Sequence, residues 1–194
     1  MTSIPNSTFN ESGLKTITIP SSITTIGNSA FNACYNLQYI TMSNNVTTLG
    51  SYVFSACQSL VTVILSNQIT TIPGSAFSSC VSLRYINIPD SVTTIESSAF
   101  YYCTSLTSIT IPQNVTDIGN GAFNSCYGLI EYHFKPTTPP TLGNNALGNV
   151  SLWTLVFKIY VPYSSDHSIL EAYKTANNWS TYASYIVEEP APTE

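Results

Sequence analysis

Five cysteines and two histidines are the side chains of this 194-residue sequence best suited to metal or redox chemistry. Zinc sites built on cysteine bring two thiolates within a few residues of one another. Here Cys34, Cys57, Cys80, Cys103 and Cys126 each follow the last by 23 residues. Distance alone would allow neighbouring units to hold two of them within disulfide range. The odd count forbids complete pairing, and each thiol lies in a column flanked by Phe and Leu. A free thiol in such company packs as a small apolar group. The expectation is a ladder of buried, reduced thiols, compatible with oxidising surroundings as long as they stay inaccessible. His133 and His167 fall in different parts of the repeat pattern and bring no convergent partners, so neither a metal site nor a Ser-His-Asp arrangement is expected. Asp166 reads as charge at a helix N-terminus. No G-x-S-x-G turn and no glycine-rich phosphate loop occurs. The chain reads as non-enzymatic, with no cofactor and no metal.

What positions the cysteines is an internal repeat. Phe31, Phe54, Phe77, Phe100 and Phe123 keep step three residues ahead of them. Leu14, Leu37, Leu60, Leu83, Leu106 and Leu129 form another column, and Ala30, Val53, Ala76, Ala99 and Ala122 a third. Leu-x-x-Ile-x-Ile alternates and is rich in β-branched residues. It predicts a strand with Leu37, Ile40 and Met42 facing inward. Pro20, Pro89 and Pro112 stop that strand, because proline lacks the N–H that would extend the ladder. Val-Thr-Thr-Ile predicts a second short strand, and Ser-Ala-Phe-x-x-Cys a compact turn or helical stretch. One such unit cannot bury its own apolar stripe. Stacking units in register at about 4.8 Å buries a continuous core, and six to seven of them give a rod about 30 Å long. The fold class is a repeat solenoid.

Composition fits that reading. Hydrophobic residues make up 43% and charged residues 8%, against about 25% charged in ordinary soluble domains. Ser, Thr and Asn therefore carry the polar surface. Five Lys and Arg spread along a chain of net charge −5 offer no clustered cations for phosphates, so no nucleic acid is expected. No apolar run approaches the length of a membrane span, and no secretion signal opens the sequence. Six N-x-S/T sequons, at Asn6, Asn10, Asn45, Asn114, Asn149 and Asn178, follow from composition and carry no information.

The pattern Ile-Pro-x-x-Val-Thr-x-Ile-Gly-x-x-Ala-Phe-x-x-Cys-x-x-Leu-x-x-Ile-x-Ile resembles the BspA-type leucine-rich repeat of bacterial surface proteins, closely over residues 14–134. The resemblance implies a right-handed coil with one parallel sheet, short second strands and helical turns. It also implies extracellular or cell-surface adhesion to host proteins or other cells. The pattern then slips. Lys135–Thr141 lengthens one coil by a residue, placing Leu142, Gly143 and Ala146 one place late, and another insertion precedes Val156, Ile159, Val161 and Pro162. The first coil is degenerate, with Glu11 in the cysteine slot.

Residues 1–162 form the solenoid in this reading, 163–187 a C-terminal cap and 188–194 an acidic, Pro-rich flexible tail. Ser165–Ala176 predicts an amphipathic helix, with Ser168 and Glu171 as a capping box. Trp179, Tyr182, Tyr185 and Ile186 complete the lid. The N-terminal end shows no clear cap, which points to further repeats upstream or to self-association through that end.

The candidate binding face is the outward side of the leading strands. Its columns read Lys15, Gln38, Val61, Arg84, Thr107, Ile130; then Thr16, Tyr39, Thr62, Tyr85, Ser108, Glu131; then Thr18, Thr41, Ile64, Asn87, Thr110, His133. Gln38, Tyr39, Val61, Ile64, Arg84, Tyr85, Asn87 and His133 are the side chains expected to meet a ligand, as a patch of exposed aromatic, apolar and arginine side chains. The alternative is that they stabilise cross-strand pairs alone. The leading expectation is a protein-interaction or adhesion module. A glycan-binding module, suggested by thirteen tyrosines, and a passive spacer are the other readings.

Overall fold

The computed structural model describes residues 2–148 and 157–192. Asn149 and Val156 lie outside the described residues. Each repeat is one coil with three sides. The leading strands, numbered in chain order with those of the second side, are β2 (Thr16–Ile19), β4 (Tyr39–Met42), β6 (Thr62–Ile64), β8 (Tyr85–Ile86), β10 (Ser108–Ile111), β12 (Glu131–Phe134), β14 (Lys158–Val161) and β15 (Ile186–Glu188). The second side carries two-residue strands: β1 (Ser3–Ile4), β3 (Thr25–Ile26), β5 (Thr48–Leu49), β7 (Thr71–Ile72), β9 (Thr94–Ile95), β11 (Asp117–Ile118) and β13 (Thr141–Leu142). All pairings are parallel and follow the repeat: Ile17 opposes Ile40, Ile40 opposes Val63, and Val63 opposes Ile86. Among the described residues eight leading strands stand where six to seven coils were expected, because the segment after the cap helix returns as β15 and pairs Ile186 with Ile159. The expected boundary between cap and tail thus falls inside a strand, and Glu189 N–H still donates to the Val161 carbonyl.

The second ladder loses its hydrogen bonds between β5 and β7. Gly50, Glu96, Gly119 and Gly143 each donate their N–H to the isoleucine carbonyl one coil back. Pro73 holds the same position and has no N–H to give. The leading ladder is also interrupted, between β8 and β10, where the strands still lie side by side.

The third side is a turn, one of the two forms expected for it, and carries neither helix nor strand. It is an arc in which alternate N–H groups donate to the coil ahead: Phe31 to Val53, Phe54 to Ala76, Phe77 to Ala99 and Phe100 to Ala122, at 2.8–2.9 Å. Left-handed residues at Ser29 and Ala33, Tyr52 and Ala56, Ser75 and Ser79, and Ser98 and Tyr102 turn the chain so that these groups alternate. Small residues dominate these positions because a left-handed φ crowds a bulky β-carbon.

Inside, like residues touch like. Phe9, Phe31, Phe54, Phe77, Phe100 and Phe123 stack with centroids 5.1–5.4 Å apart and planes within 17°. Phe9 belongs to this column although it precedes Phe31 by 22 residues. The first coil is one residue shorter between the cysteine slot and Leu14, so Ser12, not Glu11, takes that slot, its Oγ 3.3 Å from Cys34 Sγ. The one-residue shift downstream holds: Ile118 opposes Leu142, 24 positions on. Outside, Ser, Thr and Asn do what charges do elsewhere. Asn28 and Asn120 accept from the backbone N–H of Ser51 and Asn144 in the next coil. Thr47, Thr93 and Thr116 donate to threonine carbonyls one coil back.

The C-terminal lid is α1 (Ser168–Thr175) followed by a 3-10 turn (Ser180–Tyr185). The expected capping box does not form. His167, in a left-handed conformation, is the N-cap and makes no side-chain cap bond. The Ser168 N–H donates to Asp166 and the Ile169 N–H to Ser164 Oγ. The lid's aromatic bodies pack on Phe134, and their polar tips reach the carbonyls of the lengthened coil. Tyr173 Oη donates to Pro136 and Trp179 Nε1 to Pro140, both at 2.8 Å. A buried Trp or Tyr with its polar tip bonded fills space without an orphaned donor.

Candidate functional site: the leading sheet

The cysteine ladder comes first because its chemistry is settled by burial. All five thiols are free and buried. Each donates to the carbonyl of the phenylalanine one coil back: Cys57 to Phe31, Cys80 to Phe54 and Cys103 to Phe77, at 3.1 Å. Burial pushes the Cys80 thiol up to about 12 and Cys103 well above its ordinary value. Thiolate is the reactive form, so Cys80 and Cys103 are inert in the folded chain. Cys34, at the N-terminal end of the ladder, differs: hydrogen bonding with Cys57 and Ser12 holds its thiol down to about 6. At pH 8, iodoacetamide is expected to leave Cys57, Cys80 and Cys103 unmodified for hours in native protein and to label all five cysteines in guanidinium. The pH dependence follows from the raised values. The stability contributed by the neutral thiols is full below the unfolded value of 9.0 and is lost as pH climbs from there toward about 12. Rapid native labelling, or a melting temperature flat across that window, would contradict the buried ladder.

The two histidines end up tied to Glu188, the last residue of β15, and to Glu189 just after it. His133 Nδ1 lies 2.8 Å from Glu189 Oε1, and His167 Nδ1 lies 2.6 Å from Glu188 Oε2. Lys135 Nζ donates to the same Glu189 oxygen at 3.3 Å, and the His133 ring stacks on Tyr160 at 4.7 Å. Burial alone would raise the Glu189 carboxyl, but the bonds from His133 and Lys135 outweigh it and hold the group below its usual range. Among the described residues no three His, Cys, Asp or Glu side chains converge on a metal-sized space.

A shallow groove of about 530 Å³ runs along the second ladder past Glu96 and Asp117. Both carboxylates are already engaged. Glu96 accepts the Gly74 N–H, and Asp117 accepts from Thr116 and Thr141, which hold it below its ordinary value.

The leading sheet brings most of the expected binding residues together. Tyr39 on β4 opposes Thr62 on β6, which opposes Tyr85 on β8. The two tyrosines therefore stand two strand spacings apart, about 10 Å. Ile64 opposes Thr41. Tyr39 is 51% exposed, Ile64 54% and Tyr85 61%. Gln38, Arg84 and Asn87 are exposed beside them, and Val61 is half-buried. The outward direction is forced by the pleat, since Ile40, Val63 and Ile86 fill the inner face. His133 is set apart from this group, two coils beyond Asn87 in its column, half-buried and held by Glu189.

Sequence reasoning passed over a second exposed aromatic group. On the arc side of the coil Tyr102 lies against both Tyr101 and Tyr127. Tyr101 and Tyr102 interrupt columns otherwise filled by Asn, Ser and Ala, the trace of this cluster in the sequence.

Fold and face define a class: a parallel β-solenoid that acts as a repeat scaffold, its side chains displayed on rigid ladders. Within that class the chain belongs to the BspA type leucine rich repeat family, whose model matches residues 1–105 and 93–171 in six copies. It is similar to a leucine-rich repeat protein of Bacteroides ovatus, with TM-score 0.74 and 28% identity over 98% of this chain and 46% of that one. It is also similar to a leucine rich cell surface protein of Faecalibacterium prausnitzii, with TM-score 0.61 and 30% identity over 74% of this chain and 35% of that one. The leucine rich repeat protein of T. pallidum shares the fold at 22% identity and TM-score 0.59, over 71% of this chain and 79% of that one. No curated protein sequence matches significantly. The chain spans less than half the length of the first two solved proteins. Among the described residues no helix is long and apolar enough to cross a membrane.

Proposed function

We propose that the chain is a non-catalytic binding module of a cell-surface or extracellular bacterial protein, and that it holds a protein ligand on the leading sheet. The observation that carries this reading is the exposure of Tyr39, Ile64 and Tyr85, each more than half open to solvent, around Arg84 on three adjacent strands. Large apolar groups on a sheet whose inner face supplies the stability have no folding role that requires them. Tyr, Arg and aliphatic groups in one patch are the usual anchors of a protein interface. The surface location is supported by the family and by the cell-surface protein of Faecalibacterium prausnitzii.

The test is simultaneous replacement of Tyr39, Arg84 and Tyr85 by alanine. Binding to extracellular-matrix proteins and to intact cells, measured by surface plasmon resonance and adhesion counts, is expected to fall at least tenfold, about 1.4 kcal/mol. The melting temperature should move by only a few degrees, since each site is exposed. Undiminished binding by the triple variant would remove the sheet from consideration.

A further inference from the structure

We propose that Tyr101, Tyr102 and Tyr127 form a subsite for neutral oligosaccharides on the arc side of the solenoid, separate from the leading sheet and independent of the protein-binding reading above. The three rings are 39%, 40% and 60% exposed. Tyr101 and Tyr102 lie 6.2 Å apart at 30°, and Tyr102 meets Tyr127 edge-on at 6.1 Å and 86°. They form a corner of diverging walls rather than a packed apolar platform.

Their positions have small occupants in the neighbouring coils. Tyr101 stands where Ser78 and Asn124 stand, Tyr102 where Ala56, Ser79 and Ser125 stand, and Tyr127 where Gln58, Val81 and Thr104 stand, with Tyr35 in the same column four coils back. The coil needs no ring there. Tyr102 moreover sits at φ 59°, a left-handed conformation that small residues adopt in the other coils and that crowds a bulky side chain. The rings pack partly on one another, yet each keeps 39–60% of its surface open to solvent, and Tyr102 carries a backbone cost, so the cluster leaves ring faces free for a ligand.

The surroundings select the ligand. The arc segments 74–82, 97–105 and 120–128, which frame the cluster, carry no charged side chain. A charged partner would find no counterpart there. Ser79, Thr104, Asn124 and Ser125, half-buried in these segments, are neutral and polar, although Thr104 Oγ1 already donates to the Val81 carbonyl and Ser125 Oγ to Asn124 Oδ1. A pyranose with equatorial hydroxyls has the complementary build. Its C–H faces lie on the electron-rich face of a phenol ring, and its hydroxyl edge meets neutral donors and acceptors. Two rings at a right angle suit two successive sugar units of a twisted chain better than one flat surface would.

The experiment is isothermal titration of the chain with cellotetraose and with chitotetraose, alongside Y101S/Y102S/Y127T and the leading-sheet variant Y39A/R84A/Y85A. The arc substitutions are residues that other coils already carry there, so the melting curve should stay near that of the parent. Saturable binding of at least one probe is expected, weakened about tenfold or more by the arc substitutions and left unchanged by the sheet substitutions. Failure of the parent chain to bind either probe overturns the proposal. So does equal binding by the arc variant, or loss confined to the sheet variant. None of these three results decides the sheet-face reading, which is measured with protein ligands.

Discussion

Phe77→Ala is expected to lower stability by about 3–5 kcal/mol, the usual cost of emptying an aromatic site in a packed core. In a domain of this size that moves the melting temperature by about 6–20 °C. Phe77 is fully buried, with Phe54 and Phe100 stacked at 5.4 Å on its two faces. Alanine would open a void that both neighbours line, and coils touch only their neighbours. The two halves of the rod would lose part of their coupling, and the unfolding transition should broaden. Phe9→Ala is the comparison. Phe9 is half-buried at the end of the column and has a ring on one face, so its removal should cost well under half as much. Differential scanning calorimetry of both variants decides the matter. Equal shifts would mean that the column is not what joins the coils.

The second large effect concerns a single methyl group. A β-carbon added at Gly50 would sit 2.3 Å from the Asn28 backbone nitrogen and 2.5 Å from the Gly27 carbonyl carbon. Both are main-chain atoms, so no rotamer relieves the clash. The coils must separate at that corner, which strains the Gly50 N–H bond to the Ile26 carbonyl and the Ser51 bond to Asn28. Gly50→Ala should therefore cost at least the 1–3 kcal/mol typical of overpacking, about. Gly13→Ala is the control. Nothing lies within 4 Å of its added carbon, and loss of chain freedom in the unfolded state should leave stability unchanged or raise it by up to about 1 kcal/mol. Urea unfolding of the pair reads the difference directly. Matching midpoints would show that the corner has more room than its backbone distances imply.

The inner columns were legible in the sequence because the repeat imposes identical contacts. Phe31 through Phe123 and Cys34 through Cys126 stand at constant spacing, and the strand register follows from it. What escaped were the places where the period breaks or where conformation, not composition, decides. Phe9 and Ser12 were out of phase by one residue. The sequence left turn and helix open for the arc because Ala, Ser and Tyr give no sign that they will adopt a left-handed φ. The capping box failed for the same reason, with His167 turned left-handed and Asp166 capping in place of Ser168. Glu188 and Glu189 read as a solvated tail, since neither the strand pairing nor the distant His133 and His167 can be inferred from local composition. The leading-sheet residues from Gln38 to Asn87 were placed together because strand alternation is a local property. His133 was grouped with them by column alone.

The direction of the inter-coil hydrogen bonds has a mechanical consequence. They run along the rod, from each coil to the next. Tension applied between the two ends would load one interface at a time, so coils would peel off in sequence. A coil that adds about 4.8 Å to the folded length pays out about 80 Å of extended chain when drawn open. A tether built this way yields stepwise under pull and absorbs a sudden load by lengthening, while the coils still stacked keep their displayed faces intact.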